Sequence, residues 1–126
     1  MKELLRAAFS QFEKNQIAAV DAELLLAHLL GISRKQIHAQ DLELADGDRE
    51  KLASEYSDLI NQRLLGRPVQ YITGSAPFRY LDLEVGEGVL IPRPESELIV
   101  DRVIGYLHSA VDKDLAKSVI DLGAGS

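Results

Sequence analysis

The spacing of the apolar residues changes at Gly74, and that change separates a helical part of the chain from a part with mixed structure. Before Gly74 the apolar residues recur every three or four positions, which is typical of amphipathic helices. Directly after it, from Phe78 to Val85, they tend toward alternation, and glycine and proline turns follow. The sequence therefore predicts a mainly α protein with a helical bundle over residues 1–74, a β-hairpin linker over 75–92 and a helix–strand unit over 93–126.

Four stretches of the bundle have the helical period. The predicted helices run from Lys2 to about Gln16, from Asp21 to Gly31, from Ser33 through Ile37 and from Asp48 to Leu65, with one further turn at Val69–Ile72. Asp21 is predicted to cap the second helix with its side chain, and Gly31 to end it. Ser33 and Gln36 match a capping box at the start of the third helix. Short connections between such helices predict a compact bundle.

The hairpin prediction depends on one glycine turn. Phe78 to Val85 tends toward alternation and is predicted as the first strand. Gly86-Glu87-Gly88 is the predicted turn, and Val89-Leu90-Ile91 the predicted second strand. Pro92-Arg93-Pro94 follows and should end that strand, because proline cannot donate a ladder hydrogen bond.

The last part of the chain reads as a helix, a strand and a glycine turn. Pro94 suits the first turn of a helix, and Glu95 and Glu97 complement its positive end. The helix is predicted to reach about Ala110 and to bury five apolar side chains: Leu98, Ile99, Val103, Tyr106 and Leu107. An apolar strand, Ser118–Leu122, then leads into Gly123-Ala124-Gly125-Ser126. This order is typical of the opening of a doubly wound α/β domain.

Composition excludes several functions. The chain has no cysteine, so disulfides, thiolate metal sites and cysteine nucleophiles are excluded. Its three histidines, His28, His38 and His108, have no metal-ligand spacing, and no metal site is predicted. The net charge of −6 disfavours direct nucleic-acid binding. No signal-peptide core is present, and no apolar run approaches the ~20 residues of a membrane span, so a cytoplasmic protein is expected.

Three segments carry possible chemistry, and each also has a plain structural explanation. Asp121–Ser126 (DLGAGS) matches the first part of a G-x-G loop, in which glycines let the backbone approach a ligand, yet an ordinary turn explains it equally well. Val89–Glu97 (VLIPRPESE) holds Arg93 between two prolines, which is also how a strand ends and a helix begins. Gly66–Gly74 (GRPVQYITG) reads locally as a helix end and a connector.

Taken together and in their order along the chain, GRPVQYITG, VLIPRPESE and DLGAGS resemble the HemK/PrmC family of release-factor glutamine methyltransferases. An F-x-x-L-x-L hairpin start at Phe78 lies between GRPVQYITG and VLIPRPESE, as in that family. The match covers Gly66–Ser126, whereas residues 1–65 agree only in helical character. Ser96 stands where the family usually has threonine and keeps the hydroxyl. The family's Asn-Pro-Pro-Tyr motif, which holds the substrate glutamine, would lie beyond Ser126, so no catalytic residue is assigned.

The resemblance implies that residues 93–126 begin a Rossmann-like class I methyltransferase domain, truncated within its first cofactor motif. The implied cofactor is S-adenosylmethionine, and the implied target is the glutamine of the Gly-Gly-Gln motif in bacterial class I release factors. The residues implied to bind the cofactor are Asp121, Gly123, Ala124 and Gly125. Those implied to support the site are Arg93, Pro94, Ser96 and Glu97. The 126 residues by themselves are expected to be inactive.

Two other functions remain open at this point. The bundle looks complete by itself, so a helical adaptor that binds a protein partner without catalysis is one alternative. A nucleic-acid amino-methyltransferase is the other, because a similar catalytic signature serves nucleic-acid amines, although the acidic charge disfavours it. Without neighbouring strands, the predicted strand Ser118–Leu122 would be an exposed edge that cannot settle as in a complete domain; three outcomes are open, namely disorder, self-association by pairing with another chain, or packing against the hairpin.

Overall fold

The computed structural model describes residues 1–39, 46–109 and 118–123. It forms two compact units, Met1–Thr73 and Gly74–Ser126. The elements of the described residues are α1 (Lys2–Lys14), α2 (Ala19–Leu30), α3 (Arg34–Ala39), α4 (Asp46–Leu64), α5 (Val69–Thr73), β1 (Ser75–Phe78), β2 (Leu81–Glu84) and α6 (Pro94–Ser109). The mainly helical fold predicted from the sequence is confirmed.

The core of the first unit surrounds α2. This helix contacts α1, α3, α4 and α5, because its sequence, AVDAELLLAHLL, is apolar on more than one face. The largest side chains without exposed surface are Phe12, Leu25 and Leu26. Each such burial contributes about 1.5–3 kcal/mol relative to exposure. The other buried members of the core are Leu5, Ala8, Ala22, Ala27, Ile37, Leu52, Tyr56, Ile60 and Val69.

The predicted signals at the end of α2 and the start of α3 are confirmed. Gly31 ends α2 with a left-handed φ of 62°. Its N–H donates to the carbonyl of His28, and the next N–H, of Ile32, donates to that of Ala27. These two bonds satisfy helix-end carbonyls. At the start of α3 the N–H of Ser33 donates to Gln36 Oε1 at 2.8 Å, which is half of the predicted capping box.

The predicted cap at Asp21 is wrong. The N-cap of α2 is Ala18, and no side chain caps this end. Asp21 lies inside the first turn, is only 8% exposed, and accepts a 2.8 Å hydrogen bond from Arg63 Nε near the end of α4. An ionised partner from another helix therefore outweighs the local capping preference of this carboxylate.

Tyr56 forms a second polar link between α4 and α2. Its hydroxyl donates to the carbonyl of Ala22 at 2.9 Å, and the residue is 2% exposed. Burial, and then the negative charge of Glu23, raise the pKa of Tyr56 above its ordinary value. The neutral hydroxyl is thus the form that the folded bundle holds.

In the second unit a hairpin forms within the predicted linker, but both strands and the turn were misplaced, because the predicted first strand, Phe78–Val85, contains the observed turn. Strands β1 and β2 pair antiparallel, with Phe78 opposite Leu81, so the turn is Arg79-Tyr80. Residues 86–89 do form a turn, in which the N–H of Val89 donates to the carbonyl of Gly86, but no strand follows at Val89–Ile91. The glycines therefore predict the turn correctly, but they do not determine whether the residues after it form a strand that pairs with the residues before it.

Helix α6 forms where predicted, but its predicted burial is wrong. None of its residues is buried; Val103 and Leu107 are half-buried, and the most exposed apolar side chains are Leu98, Ile99 and Tyr106. An apolar stripe identifies the face that would be buried, but burial requires a second element to cover it. The predicted helix end at Ala110 lies outside the described residues.

The strand assigned to Ser118–Leu122 from its composition does not form in this chain, in line with the expectation that it cannot settle without neighbouring strands. These residues are irregular and exposed. A strand is defined by a hydrogen-bonded neighbour as well as by its composition, and the ladder of the described residues consists of β1 and β2 alone. The segment's apolar side chains, Val119, Ile120 and Leu122, are 59–89% exposed.

We expect Tyr56→Phe to destabilise the bundle by about 1 kcal/mol, because it removes one buried hydrogen bond and keeps the ring. The substitution should also make the free energy of unfolding less dependent on pH in the alkaline range. Wild-type stability should fall above pH ~10, since the unfolded tyrosine ionises there while the folded one stays protonated. Urea unfolding at pH 8 and pH 11 measures both effects. Tyr80→Phe is the control, because Tyr80 is 94% exposed; an equal effect of the two variants would contradict the assignment.

Asp21→Ala and Arg63→Met should each destabilise the bundle by about 1.5–3 kcal/mol, because each leaves a largely buried charge without its partner. Their side chains are 12% and 22% exposed, so solvent screens the pair only weakly. The double variant should lose less than the sum of the single variants. Chemical unfolding of all four proteins gives the coupling energy, and strict additivity would show that the pair does not stabilise the fold.

Candidate functional site

The proline segment predicted to support the cofactor forms the N-terminal turn of α6. Pro94 is the first helical residue, where the missing N–H of proline breaks no helical bond. The N–H of Ser96 donates to the carbonyl of Arg93 at 3.0 Å, which closes the turn. Arg93 and Pro94 are exposed, and Ser96 is half-buried. The structure therefore places the predicted supporting residues together on one turn.

Glu97, the last residue of that set, makes a contact that the sequence did not predict. Its Oε1 accepts a 3.0 Å hydrogen bond from the backbone N–H of Arg79 in the hairpin turn. One helical turn further on, Asp101 Oδ1 accepts from the guanidinium of Arg79. Two carboxylates of α6 thus hold one hairpin residue.

The signal for this contact was weak in the sequence. Glu97 and Asp101 are four residues apart and therefore share a face of α6. The neighbouring sequence does not indicate that Arg79 is a turn residue, because two-residue hairpin turns usually contain glycine or asparagine at positions of positive φ. Arg79 instead adopts a φ of 55°.

The glycine turn is described only in its first half. Asp121 and Gly123 are exposed, and Gly123 has a φ of 81°. A Cβ placed on Gly123 would meet no atom within 4 Å, so its backbone conformation, and not crowding, requires glycine. An open glycine turn of this kind fits the first half of a loop that approaches a cofactor. The other two predicted residues, Ala124 and Gly125, lie outside the described residues.

A cavity of about 530 Å³ lies beside the chain segment that leads into this turn. It is lined by Arg102, Val103, Tyr106 and Leu107 of α6 together with Ser118 and Val119. Its position places this segment along the C-terminal half of α6. Among the residues that the structure describes, no hydrogen bond or ion pair joins Arg93–Glu97 to Asp121–Gly123. The two predicted sets belong to one unit but are not in direct polar contact.

GRPVQYITG has a structural role in the first unit. Gly66 follows α4 with a φ of 92°, and Val69 lies in the bundle core. The hydroxyl of Thr73 donates to the carbonyl of Val69 at 3.0 Å. These contacts agree with the plain explanation of the segment as a helix end and a connector.

The histidines and the acidic residues of the described ranges do not form a metal site. His38 Nε2 lies 3.0 Å from Glu23 Oε1, and Arg34 Nε lies 3.6 Å from the other oxygen of that carboxylate. Over residues 1–39, 46–109 and 118–123, no three His, Cys, Asp or Glu side chains are grouped to hold a metal ion. In the same ranges, no helix combines the length and the apolar character of a membrane span.

Comparison with known proteins extends the sequence resemblance to nearly the whole chain. The family model described as the PrmC N-terminal domain matches residues 3–74. The release factor glutamine methyltransferase of Chlorobaculum tepidum is 38% identical over 98% of this chain and 42% of its own length. The proteins of the same name from Corynebacterium glutamicum and Bifidobacterium longum are 36% and 40% identical, over 98% and 84% of this chain.

The chain spans about two fifths of the length of the first two of these relatives. The family model matches more than half of the chain, and its match includes all of the described helices of the first unit except the first residue of α1. The chain therefore belongs to the PrmC N-terminal domain family.

Proposed function

We propose that this chain is the N-terminal part of a methyltransferase that transfers a methyl group from S-adenosylmethionine to the glutamine of the Gly-Gly-Gln motif in bacterial class I release factors. The observation that carries the proposal is the alignment of 98% of the chain with proteins named release factor glutamine methyltransferase. A protein that modifies release factors would work in the cytoplasm, where translation occurs.

We assign substrate recognition to the helical bundle. The first unit has its own core and its own polar links, Asp21–Arg63 and Tyr56–Ala22. A rigid helical surface can present fixed side chains to a protein partner at low entropic cost. The net charge of −6 supports a protein partner over a nucleic acid.

We assign the approach to the cofactor to the second unit. S-adenosylmethionine supplies a methyl group activated by a sulfonium. Asp121 and Gly123, with Ala124 and Gly125, would hold that cofactor through one carboxylate and the glycine backbone. Arg93, Pro94 and Ser96 would support the site from the start of α6. A glutamine amide nitrogen is a weak nucleophile, so rate acceleration should depend mainly on orientation and on exclusion of water.

The longer protein that contains this chain should methylate a class I release factor, whereas the 126 residues alone should not. The reason is that the 126 residues do not include the Asn-Pro-Pro-Tyr motif that would align the amide nitrogen with the methyl group. Mass spectrometry of the release-factor peptide after incubation with S-adenosylmethionine measures the transfer. A release factor with the motif glutamine replaced by alanine is the control.

Two results of that experiment would contradict the proposal. Absence of transfer by the longer protein would exclude the assigned reaction. Transfer by the 126 residues alone would show that the chain is a complete enzyme.

The 126-residue chain should bind a class I release factor without S-adenosylmethionine, because recognition is assigned to the bundle. Isothermal titration at two salt concentrations measures this binding. Weak salt dependence is expected, since a protein interface releases far fewer counterions than a nucleic-acid complex. Tight, steeply salt-dependent binding to RNA or DNA in a parallel titration would favour the nucleic-acid methyltransferase instead. No release-factor binding would exclude recognition by the bundle.

A further inference from the structure

We infer that Arg79 is a positioning residue, and that Glu97 and Asp101 act as its anchors on α6 and not as ligands of cofactor or substrate. The inference rests on the proposed function only for its catalytic consequence. Its structural part concerns the second unit alone, where Arg79 joins the hairpin to the helix that begins at Pro94.

The backbone of Arg79 shows that the hairpin turn needs support from outside. Arg79 is the first of two residues between the paired Phe78 and Leu81, and its φ of 55° lies in the left-handed region. Residues other than glycine, asparagine and aspartate adopt this region rarely, at an energetic cost. A turn built on arginine therefore persists because other contacts offset that cost.

Two contacts of Arg79 with α6 supply that support. Its N–H donates to Glu97 Oε1 at 3.0 Å, and its guanidinium donates to Asp101 Oδ1. The guanidinium carbon also lies 5.6 Å from the centre of the Tyr80 ring, within range of a cation–π interaction. Although it lies at a hairpin tip, the Arg79 side chain is only 21% exposed. The hairpin tip is thus fastened to the first two turns of α6.

This fastening fixes the loop between β2 and α6, residues 85–93. At its first residue, the N–H of Val85 donates to the carbonyl of Gly74 at 3.0 Å, and Val85 is 5% exposed. At its last residue, the carbonyl of Arg93 accepts from Ser96. Because the elements at both ends are held together through Arg79, the loop has fewer conformations available. The backbone of Arg93 is therefore held in a fixed position relative to the hairpin and α6.

Glu97 has a different role here from the one that the resemblance implied. A carboxylate that accepts a backbone N–H is already engaged in a charge-assisted hydrogen bond. Glu95 is the natural comparison, because it belongs to the same first turn and is exposed. The anchoring contact distinguishes Glu97 from Glu95.

Amide exchange on the 126-residue chain tests the structural part. Glu97→Ala should accelerate exchange of the Arg79 amide by about tenfold or more, since it removes a hydrogen bond to a charged acceptor. Exchange across residues 85–93 should also rise, while amides of the first unit stay unchanged. Glu97→Gln keeps the accepting Oε1 and should retain most of the protection. Glu95→Ala is the matched control and should behave as wild type.

Two outcomes of the exchange experiment would overturn the inference. One is protection of the Arg79 amide that survives Glu97→Ala. The other is faster exchange in the first unit to the same extent as in residues 85–93, because general destabilisation would then explain the effect.

Kinetics of the longer protein test the catalytic part. Arg79→Gly suits the positive φ and keeps the N–H but removes the guanidinium, and Asp101→Ala removes its partner. Each should raise the KM for S-adenosylmethionine about two- to fivefold, the range expected for one partly exposed ion pair, with kcat unchanged. The double variant should show no more than the larger single effect. Glu97→Gln should remain close to wild type.

Kinetic results separate this inference from the proposed function. Multiplying effects of Arg79→Gly and Asp101→Ala on the KM, or a rise in KM in Glu97→Gln equal to that in Glu97→Ala, would overturn the anchoring role. An inactive wild-type protein would overturn the proposed function, whereas the exchange experiment would still decide the role of Arg79.

Discussion

Burial of α2 is the constraint on which the first unit depends. Leu25 and Leu26 have no exposed surface, and Phe12 of α1 packs into the same core. Two polar links, Asp21 to Arg63 and Tyr56 to Ala22, then fix α4 against this helix at defined positions. Apolar burial supplies most of the stabilisation, while directional bonds specify how helices pack.

The second unit is organised by polar contacts to a much greater extent. Its buried apolar residues among those described are Ala76 and Val85, both close to the hairpin. Arg79, Glu97 and Asp101 connect the hairpin to α6 in place of a large core. The two units thus show two ways of holding secondary structure: extensive burial around a central helix in one, and a few charged hydrogen bonds around a strained turn in the other.

Features that depend on neighbours along the chain were predicted well. The left-handed glycine after α2, the Ser33–Gln36 bond and the start of α6 at Pro94 all follow from local geometry. Asp21 was misassigned because Arg63, 42 residues away, competes for its carboxylate. The hairpin was misplaced because the stabilisation of Arg79 comes from α6, and no local pattern contains that information.

The candidate site was predictable to a similar extent. The motif residues Arg93, Pro94, Ser96 and Glu97 lie on one turn, as their adjacency requires, but the partner of Glu97 could not be inferred from spacing within the motif. The strand predicted at Ser118–Leu122 fails for a related reason. Its composition favours a sheet, but pairing needs a neighbouring strand, which composition cannot supply.

The exposed apolar surface of α6 has a consequence for the behaviour of the chain in solution. Leu98, Ile99 and Tyr106 present a short-range attraction to any apolar surface, while the net charge of −6 makes copies of the chain repel one another at longer range. Salt shortens the reach of the repulsion to about 10 Å at 0.1 M and leaves the apolar attraction intact. Colloidal stability of the chain is therefore set by ionic strength, and dilute buffer favours its dispersion.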